Sequence, residues 1–473
     1  MSTMLKPYPE QQETRIPWLE TAPSHWSVRP GMAVLRERKV KNVGMPEKTV
    51  LSLSYGRIVI KPEEKLHGLV PASFEGYQIV EPGNIIVRPT DLQNDQVSLR
   101  VGRSEYRGII TSAYICLEAK AGLTADYAHL LLHTYDVKKI FYGLGSGLRQ
   151  NLDWSDFRRL PIPVPPLQEQ GAIVRFIRHL DQQVNRLIKA KRRLIELLNE
   201  QKQAIIQQAV TRGIDSSVPL KPSGIDWLGY IPKHWGSPIM ARQLYSIEQG
   251  WSPRAAEGDL LDEQWAVVSL SAVKRGRFDN KALKPIELNA DVPKQYEIHP
   301  GDLLLTRSNT RALVGDICLV KHVRPRTIIS DLIYRLKLRS TLEPKFAMYW
   351  LLSPSGRYQI ERDARGSSDT MPKISQQQIK GWRIPVPPLG EQAEISAQIE
   401  RETEQLTLAI EKAEREIDLV REYRTRLVAD VVTGQLDVRH LDLPNVIDEP
   451  VSLSDEPDDR DDVLDDELVE VAV

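Results

Sequence analysis

Two histidines invite a chemical reading first. His25 and His234 each precede a tryptophan, in Pro23-Ser24-His25-Trp26 and Pro232-Lys233-His234-Trp235. A metal site or a general base would need further Cys, His or carboxylate groups at ligand spacing, and none flanks either histidine. A structural turn packing on the tryptophan is the expectation. Gly143-Leu144-Gly145-Ser146-Gly147 has the glycine density of a phosphate loop. It lacks the Gly-Lys-Ser/Thr of a nucleotide site and the full dinucleotide spacing, so it reads as a flexible approach to the helix beyond it. No Asp/Asn-Pro-Pro-aromatic motif of adenine methyltransferases occurs, no helicase motif, and no convincing Ser/His/Asp or Cys/His set. The chain is expected to be non-catalytic by itself, with no metal ligands and no cofactor of its own.

Basic and amide side chains carry the remaining chemistry. The first half has Arg88, Gln93, Asn94, Arg100, Arg103, Tyr106 and Arg107, then Arg149, Gln150 and Asn151. The second half has Arg254, Lys274, Arg275, Arg277, Arg307, Ser308, Asn309 and Arg311, then Arg365. Arginine reads guanine in a bidentate way and Asn or Gln reads adenine, so these are the residue types of base readout. Others of the set would only hold phosphates. Taken singly, an arginine on a loop is more often a solvated surface residue; the clustering in both halves is what gives these weight.

Positioning them falls to a repeat. Ile162-Pro163-Val164-Pro165-Pro166-Leu167-Gln168-Glu169-Gln170 returns as Ile384-Pro385-Val386-Pro387-Pro388-Leu389-Gly390-Glu391-Gln392. Each copy opens a helical run of about forty residues, since proline is tolerated where a helix starts and an acid suits its first turn. Gly213 and Gly434 mark the stops. The first run has a heptad register through Ile173, Ile177, Leu180, Val184, Leu187, Lys191, Leu194, Leu198, Gln201 and Ile205. The second keeps it more loosely through Ile395, Ile399, Glu402, Leu406, Ala409, Ala413, Glu416, Val420, Tyr423 and Leu427. Such spacing predicts a seam against another long helix. Residues 168–210 are net +4 and residues 390–431 net −5, which favours pairing the two with each other. The product is an antiparallel rod roughly 60 Å long at 1.5 Å per residue.

The repeat covers nearly the whole chain. Trp18-Leu19 recurs as Trp227-Leu228, Val50–Ser54 as Val267–Ser271, and Pro82-Gly83-Asn84 as Pro300-Gly301-Asp302. The fold class expected is α+β: two pseudo-repeated mixed heads, each followed by a long helix. Strands are predicted at Thr49–Ser54, Ile85–Val87 and Gly108–Leu117, with a helix at Ala125–Thr134. The second head should have strands near Ala266–Leu270, Asp302–Thr306, Asp316–Val320 and Leu332–Leu338, and a helix at Phe346–Leu352. The boundaries read 1–160 for head one, 161–214 for the first lead and helix, and 215–383 for head two with its joining loop. Residues 384–443 hold the second lead and helix, and 444–473 an acidic tail expected to be disordered.

Composition narrows the class. Two cysteines, Cys116 and Cys318, imply no disulfide framework and fit a reducing cytoplasm. No secretory or long apolar stretch points to a membrane. The net charge of −1 hides a tail of net −11 and a body of net +10. A basic body allows a polyanionic partner.

Together these features resemble the specificity subunit of Type I restriction–modification systems across residues 10–440. The resemblance rests on the paired leads and helices and on Trp18-Leu19 with His25-Trp26. It also rests on Asp91-Leu92-Gln93-Asn94-Asp95 with Ser98-Leu99-Arg100, and on Gly147-Leu148-Arg149-Gln150-Asn151-Leu152. Head two departs from it at Gly366–Pro372, and the acidic tail is outside the pattern. The resemblance implies two target-recognition domains, each reading one half of an asymmetric bipartite site in double-stranded DNA. It implies a helical spacer that sets the gap and docks two methyltransferase subunits, with restriction subunits of translocase and nuclease activity joining them. The docking and spacer residues would be Pro165, Pro166, Leu167, Ile173, Ile177, Leu180, Val184 and Leu187, with Pro387, Pro388, Leu389, Ile395, Ile399 and Leu406. S-adenosylmethionine, ATP and magnesium would be cofactors of those partners. Two other classes stay open on the residues alone: a coiled-coil scaffold with two protein-binding heads, and a fused methyltransferase or nuclease with a degenerate active site.

Overall fold

Each head is built on the same four-stranded antiparallel sheet. In head one the spatial order is Leu35–Glu37, Ile115–Ala119, Ile85–Val87, Val101–Arg103. In head two it is Leu244–Gln249, Ile333–Leu338, Leu303–Thr306, Ile317–Leu319. Ile85–Val87 is wholly apolar and buried, and Leu303–Thr306 is buried throughout with Thr306 its one polar residue, as strands covered on both faces tend to be. This computed structural model describes residues 5–443 except 63–72, 94–98, 145–150, 257, 289 and 365–370. The acidic tail therefore lies outside the described residues, as does part of the glycine cluster.

Most strands sit where alternation and turn residues place them. The predicted strand at Gly108–Leu117 is two, Gly108–Ile110 and Ile115–Ala119, parted by a turn in which Tyr114 N–H bonds Thr111 O. The predicted helix over 125–134 runs Ala125–Val137, capped by Thr124 Oγ1. Its counterpart Pro344–Leu352 is followed by a second helix, Pro354–Asp363, that shares Ser353 as its cap. A short helix with a capping box then precedes each lead, Trp154–Arg159 behind Asp153 and Gln376–Gly381 behind Ser375. The first lead is itself a strand, Pro161–Val164, paired antiparallel with Ser27–Pro30. Among the described residues it has a single partner strand, and such an edge accommodates its two prolines, which lack a ladder N–H.

The long helices are Leu167–Arg212 and Leu389–Val432, 46 and 44 residues. By compactness the chain forms two units, residues 1–191 with 415–473 and residues 192–414. In the first unit the helices meet through Asp181 and Arg424 at 3.3 Å and Lys191 and Glu416 at 2.5 Å. In the second they meet through Lys202 and Thr407 at 3.0 Å. One number falls as the other rises, so the pairing is antiparallel.

The seam differs from the heptad frame read off the sequence. Leu187 and Leu194 are 44% and 42% exposed, whereas Ile188 is 5% and Asp181 5%. On the second helix Tyr423 is 60% exposed, whereas Ile417 and Arg424 are buried. Half of the expected positions, such as Val184, Ala413 and Leu427, hold. The alternate ones sit one residue later. The reason is the Asp181–Arg424 pair: apolar spacing skips these charges, yet they occupy the seam because each neutralises the other. A slipped register would strand a buried charge. The first turns do something else again. Ile173 and Ile177 are fully buried in the core of head one, and Ile395 and Ile399 in that of head two.

The repeated opening and lead motifs lock onto each other. Glu169 Oε1 accepts from Trp26 Nε1 at 2.9 Å and from Tyr8 Oη at 2.5 Å, while Oε2 lies 2.8 Å from His25 Nε2. Glu391 accepts from Trp235 Nε1 at 3.0 Å and lies 2.8 Å from His234 Nε2. The next residue repeats the device. Gln170 Nε2 donates to Gly122 O and Pro165 O, and Gln392 Nε2 to Thr341 O and Pro387 O. The histidines do have a carboxylate partner, one that sequence spacing could not show because it lies 144 residues from His25 and 157 from His234. Helix stops close the arrangement. Gly434 (φ +78°) lies where a Cβ would strike Pro23 and Trp26, and Gly213 (φ +75°) packs against Trp235. The second helix thus ends against the opening of head one, and the first against that of head two.

Candidate nucleic-acid interface

In head one the candidate residues separate to opposite ends of the ladder between Ile85–Val87 and Val101–Arg103. Arg88, half-buried, follows one strand, and its N–H bonds Arg100 O at 2.9 Å. Gln93 is exposed beyond it. Asn151 joins this end from elsewhere in the chain. Its Oδ1 accepts from Asp91 N–H at 3.0 Å, and Leu152 N–H donates to Pro89 O at 2.8 Å. Arg88, Gln93 and Asn151 therefore share one edge. Asn94, Arg149 and Gln150 lie outside the described residues.

Arg100 is different. It is fully buried, so it supports the loop from beneath and does not face solvent. At the other end, Arg103 pairs with Glu105 at 2.9 Å and Asp126 at 3.2 Å. Arg107 pairs with Glu47 and Glu81 at 3.2 and 2.9 Å. A phosphate arriving here would have to compete with carboxylates already in place. Tyr106 is 44% exposed between them and, with Arg57 and His129, lines a recess of about 270 Å³.

Head two gathers its candidates at one end of the matching ladder. Arg307 and Asn309 are half-buried and Arg311 is exposed, all on the loop after Leu303–Thr306. Ser308 is 1% exposed and bridged to Lys373, so it is a structural residue. Beside the loop lies the hairpin of Val273–Lys274 and Arg277–Phe278, which exposes Lys274, Arg275 and Arg277. Arg275 and Ala312 line one recess of about 1270 Å³. Arg277 is engaged by Glu411 at 2.6 Å. Arg254 is exposed on a segment whose Ser252 bonds Asp331, next to the Leu332 carbonyl that holds Arg307 N–H. Arg365 lies outside the described residues.

Head two's divergent approach nonetheless reaches the same place. Ile374 N–H donates to Arg307 O at 2.8 Å, as Leu152 does to Pro89 in head one. Two residues with no place among the candidates matter here. Asp91 adopts φ +62°, and Asp316 is a buried carboxylate at the ladder end. Strand register, and not residue spacing, sets Asp316 against Arg100.

Among the described residues no group of three His, Cys, Asp or Glu could hold a metal ion, and no helix is long and apolar enough to cross a membrane.

Comparisons with known proteins agree on one family. The family model for the Type I restriction modification DNA specificity domain matches residues 98–197 and 271–418. The chain is similar to the Type I restriction enzyme EcoEI specificity subunit of Escherichia coli, 28% identical over 43% of this chain and 35% of that one. It is also similar to the EcoKI specificity subunit of Escherichia coli K12, 24% identical over 53% of this chain and 52% of that one. The match thus spans about a third and about half of these two relatives. A putative MjaX specificity subunit of Methanocaldococcus jannaschii aligns over 88% of this chain and 95% of its own length at 21% identity. The fold is shared with a solved chain described under complex assembly and conformational transition of the type I R-M system. Its TM-score is 0.57 at 15% identity, covering 88% of this chain and 99% of that one.

Proposed function

Because the chain belongs to the family of Type I restriction–modification DNA specificity domains, we propose that it is the subunit that reads a bipartite, asymmetric site in double-stranded DNA. Each head takes one half-site. The observation that carries this reading is the equivalence of the two heads. The same sheet, in the same strand order, presents exposed or half-buried Arg, Gln and Asn groups from the same ladder end. Those are groups suited to base edges in the major groove. Difference in the loops on a repeated frame is what reading two different half-sites requires.

The helices act as the spacer and as the docking surface for two methyltransferase subunits. Each lead exposes the same knob, Pro166-Leu167 and Pro388-Leu389, with Leu167 57% and Leu389 51% exposed. Two copies of one knob suit two copies of one partner. Leu187, Leu419 and Tyr423 in the first unit, and Leu194, Leu197 and Leu408 in the second, leave apolar surface on the helices unused by their own pairing. The chain supplies recognition and no chemistry. S-adenosylmethionine, ATP and magnesium belong to the methyltransferase and restriction subunits, in the cytoplasm where host DNA is.

Co-expression with a candidate methyltransferase subunit, followed by sequencing of adenine methylation on host DNA, tests this. Methylation at a single bipartite motif is the expected result; a stable complex that methylates nothing favours a protein-binding scaffold instead. A scaffold would also lack the steep fall of DNA affinity with salt that phosphate contacts impose.

The spacer carries its own expected result. The register of Lys202 with Thr407 puts Leu198 near Ile410. A heptad inserted after Leu198 must be matched by one at Ile410, or the seam is broken. Seven residues add about 10.5 Å, roughly 3 base pairs of rise. The matched variant should methylate the same half-sites across a gap longer by that amount. An unchanged gap would show that the helices do not set it.

A further inference from the structure

One ladder position carries opposite charges in the two heads. Arg88 N–H bonds Arg100 O at 2.9 Å, and Thr306 N–H bonds Asp316 O at 2.8 Å. Residue 100 therefore matches residue 316. Both are buried, at 0% and 4% exposure. A buried charge is retained only where partners offset its desolvation, so what each one holds is informative.

Arg100 holds carbonyls. Its Nη1 donates to Thr90 O at 2.6 Å, its Nη2 to Asp91 O at 3.1 Å and its Nε to Tyr142 Oη at 3.3 Å. With Asn151 bonded to Asp91 N–H and Leu92 fully buried, the loop is held from three sides. These contacts keep Asp91 in the left-handed region at φ +62°. The side chain left facing outward is Gln93.

Asp316 holds amides. Its Oδ2 accepts from Arg275 N–H at 2.9 Å and its Oδ1 from Ile317 N–H at 3.0 Å. Arg275 and Gly276 both have positive φ, +45° and +83°, the geometry of a two-residue hairpin turn. Glycine adopts it freely, but an arginine there is strained. The bond to Asp316 secures that strained residue, and its side chain is exposed.

We propose that this ladder position determines which loop each head offers to DNA. A donor at 100 fixes the carbonyls of Thr90 and Asp91 and presents the 90–93 loop. An acceptor at 316 fixes the amide of Arg275 and presents the 274–277 turn. Both are positioning residues, and the inference rests on the DNA-reading function proposed above.

The test is selection of duplexes from a randomised DNA library by the purified full chain, with sequencing of those retained. Arg100→Met should lower discrimination at least tenfold at one or two base positions of one half-site and leave the other half-site as it was. Arg100→Lys, which still donates, should restore part of it. Asp316→Ala should relax the opposite half-site, and Asp316→Asn, whose single amide oxygen can still accept from Arg275 N–H but not also from Ile317 N–H, should restore part of it. The untouched half-site in each variant reports that the chain remains folded. Both half-sites unchanged in Arg100→Met and Asp316→Ala, or both weakened equally in all four variants, would overturn the inference. A wild-type chain that selects no sequence would overturn the functional reading itself, and the inference with it.

Discussion

Replacing Glu169 by alanine is expected to destabilise the first unit by about 3–5 kcal/mol, because it strands buried donors. Glu169 is 4% exposed and serves Trp26 Nε1, Tyr8 Oη and His25 Nε2 at once. Without it the indole N–H and the phenol, on residues 2% and 4% exposed, lose their acceptor. Burial, then the bond to Glu169, already holds the Tyr8 phenol far above its ordinary pKa. That hydroxyl cannot escape by ionising. Glu391→Ala should cost less, about 1–3 kcal/mol. Its side chain is 23% exposed, its histidine is 43% exposed, and it accepts from Trp235 beside that histidine. Urea unfolding followed by hydrogen exchange around Trp26 and Trp235 separates the two. Equal losses, or a loss under about 1 kcal/mol at Glu169, would mean that the shared acceptor is not what fixes each helix to its head.

Acid should weaken the first unit before ordinary carboxylates titrate. His129 and His133 lie one turn apart on the helix Ala125–Val137, 8% and 7% exposed. Among the described residues His129 Nε2 and His133 Nδ1 have no hydrogen-bond partner. Burial holds His129 down at about 3, with His133 and Arg103 adding to it. Burial and then Arg424 hold His133 at about 4. As pH falls below 6.5 the unfolded chain takes up two protons that the folded unit refuses. Stability present above 6.5 is therefore lost on the way down toward 4, at up to ~2.7 kcal/mol per pH unit for the pair. About 4 kcal/mol should be gone at pH 5. The double substitution His129→Leu with His133→Leu should flatten the urea midpoint between pH 7 and pH 5. An identical loss in the double variant would place the acid sensitivity elsewhere.

The two heads, their helices and the antiparallel pairing were legible in the sequence. Their signals are local or periodic: strand alternation, a proline-led helix start, and apolar residues every three or four positions. Net +4 against net −5 then chose the partner helix. The family was legible for the same reason, since its signature is a repeated string. Half of each seam was misread because periodicity counts apolar residues. It passed over Asp181 and Arg424, whose burial makes sense only once they meet at 3.3 Å.

The candidate interface was legible as composition and not as geometry. Residue type marked Arg88, Gln93, Arg275 and Arg311 as able to read bases, and they are at least partly accessible. The same criterion marked Arg100 and Ser308, which are buried. Whether an arginine faces solvent or feeds its guanidinium to Thr90 O and Asp91 O depends on which strand lies beside it. That neighbour is set by sheet order, a long-range property. His25 and His234 make the same point. Each has a carboxylate partner about 150 residues away, at the first turn of a helix the sequence did announce. The sequence by itself determined the periodic elements, because backbone geometry converts residue spacing directly into a face. Tertiary structure alone decided which charges are spent inside and which remain at the surface, because desolvation and pairing act between residues that the chain brings together only on folding.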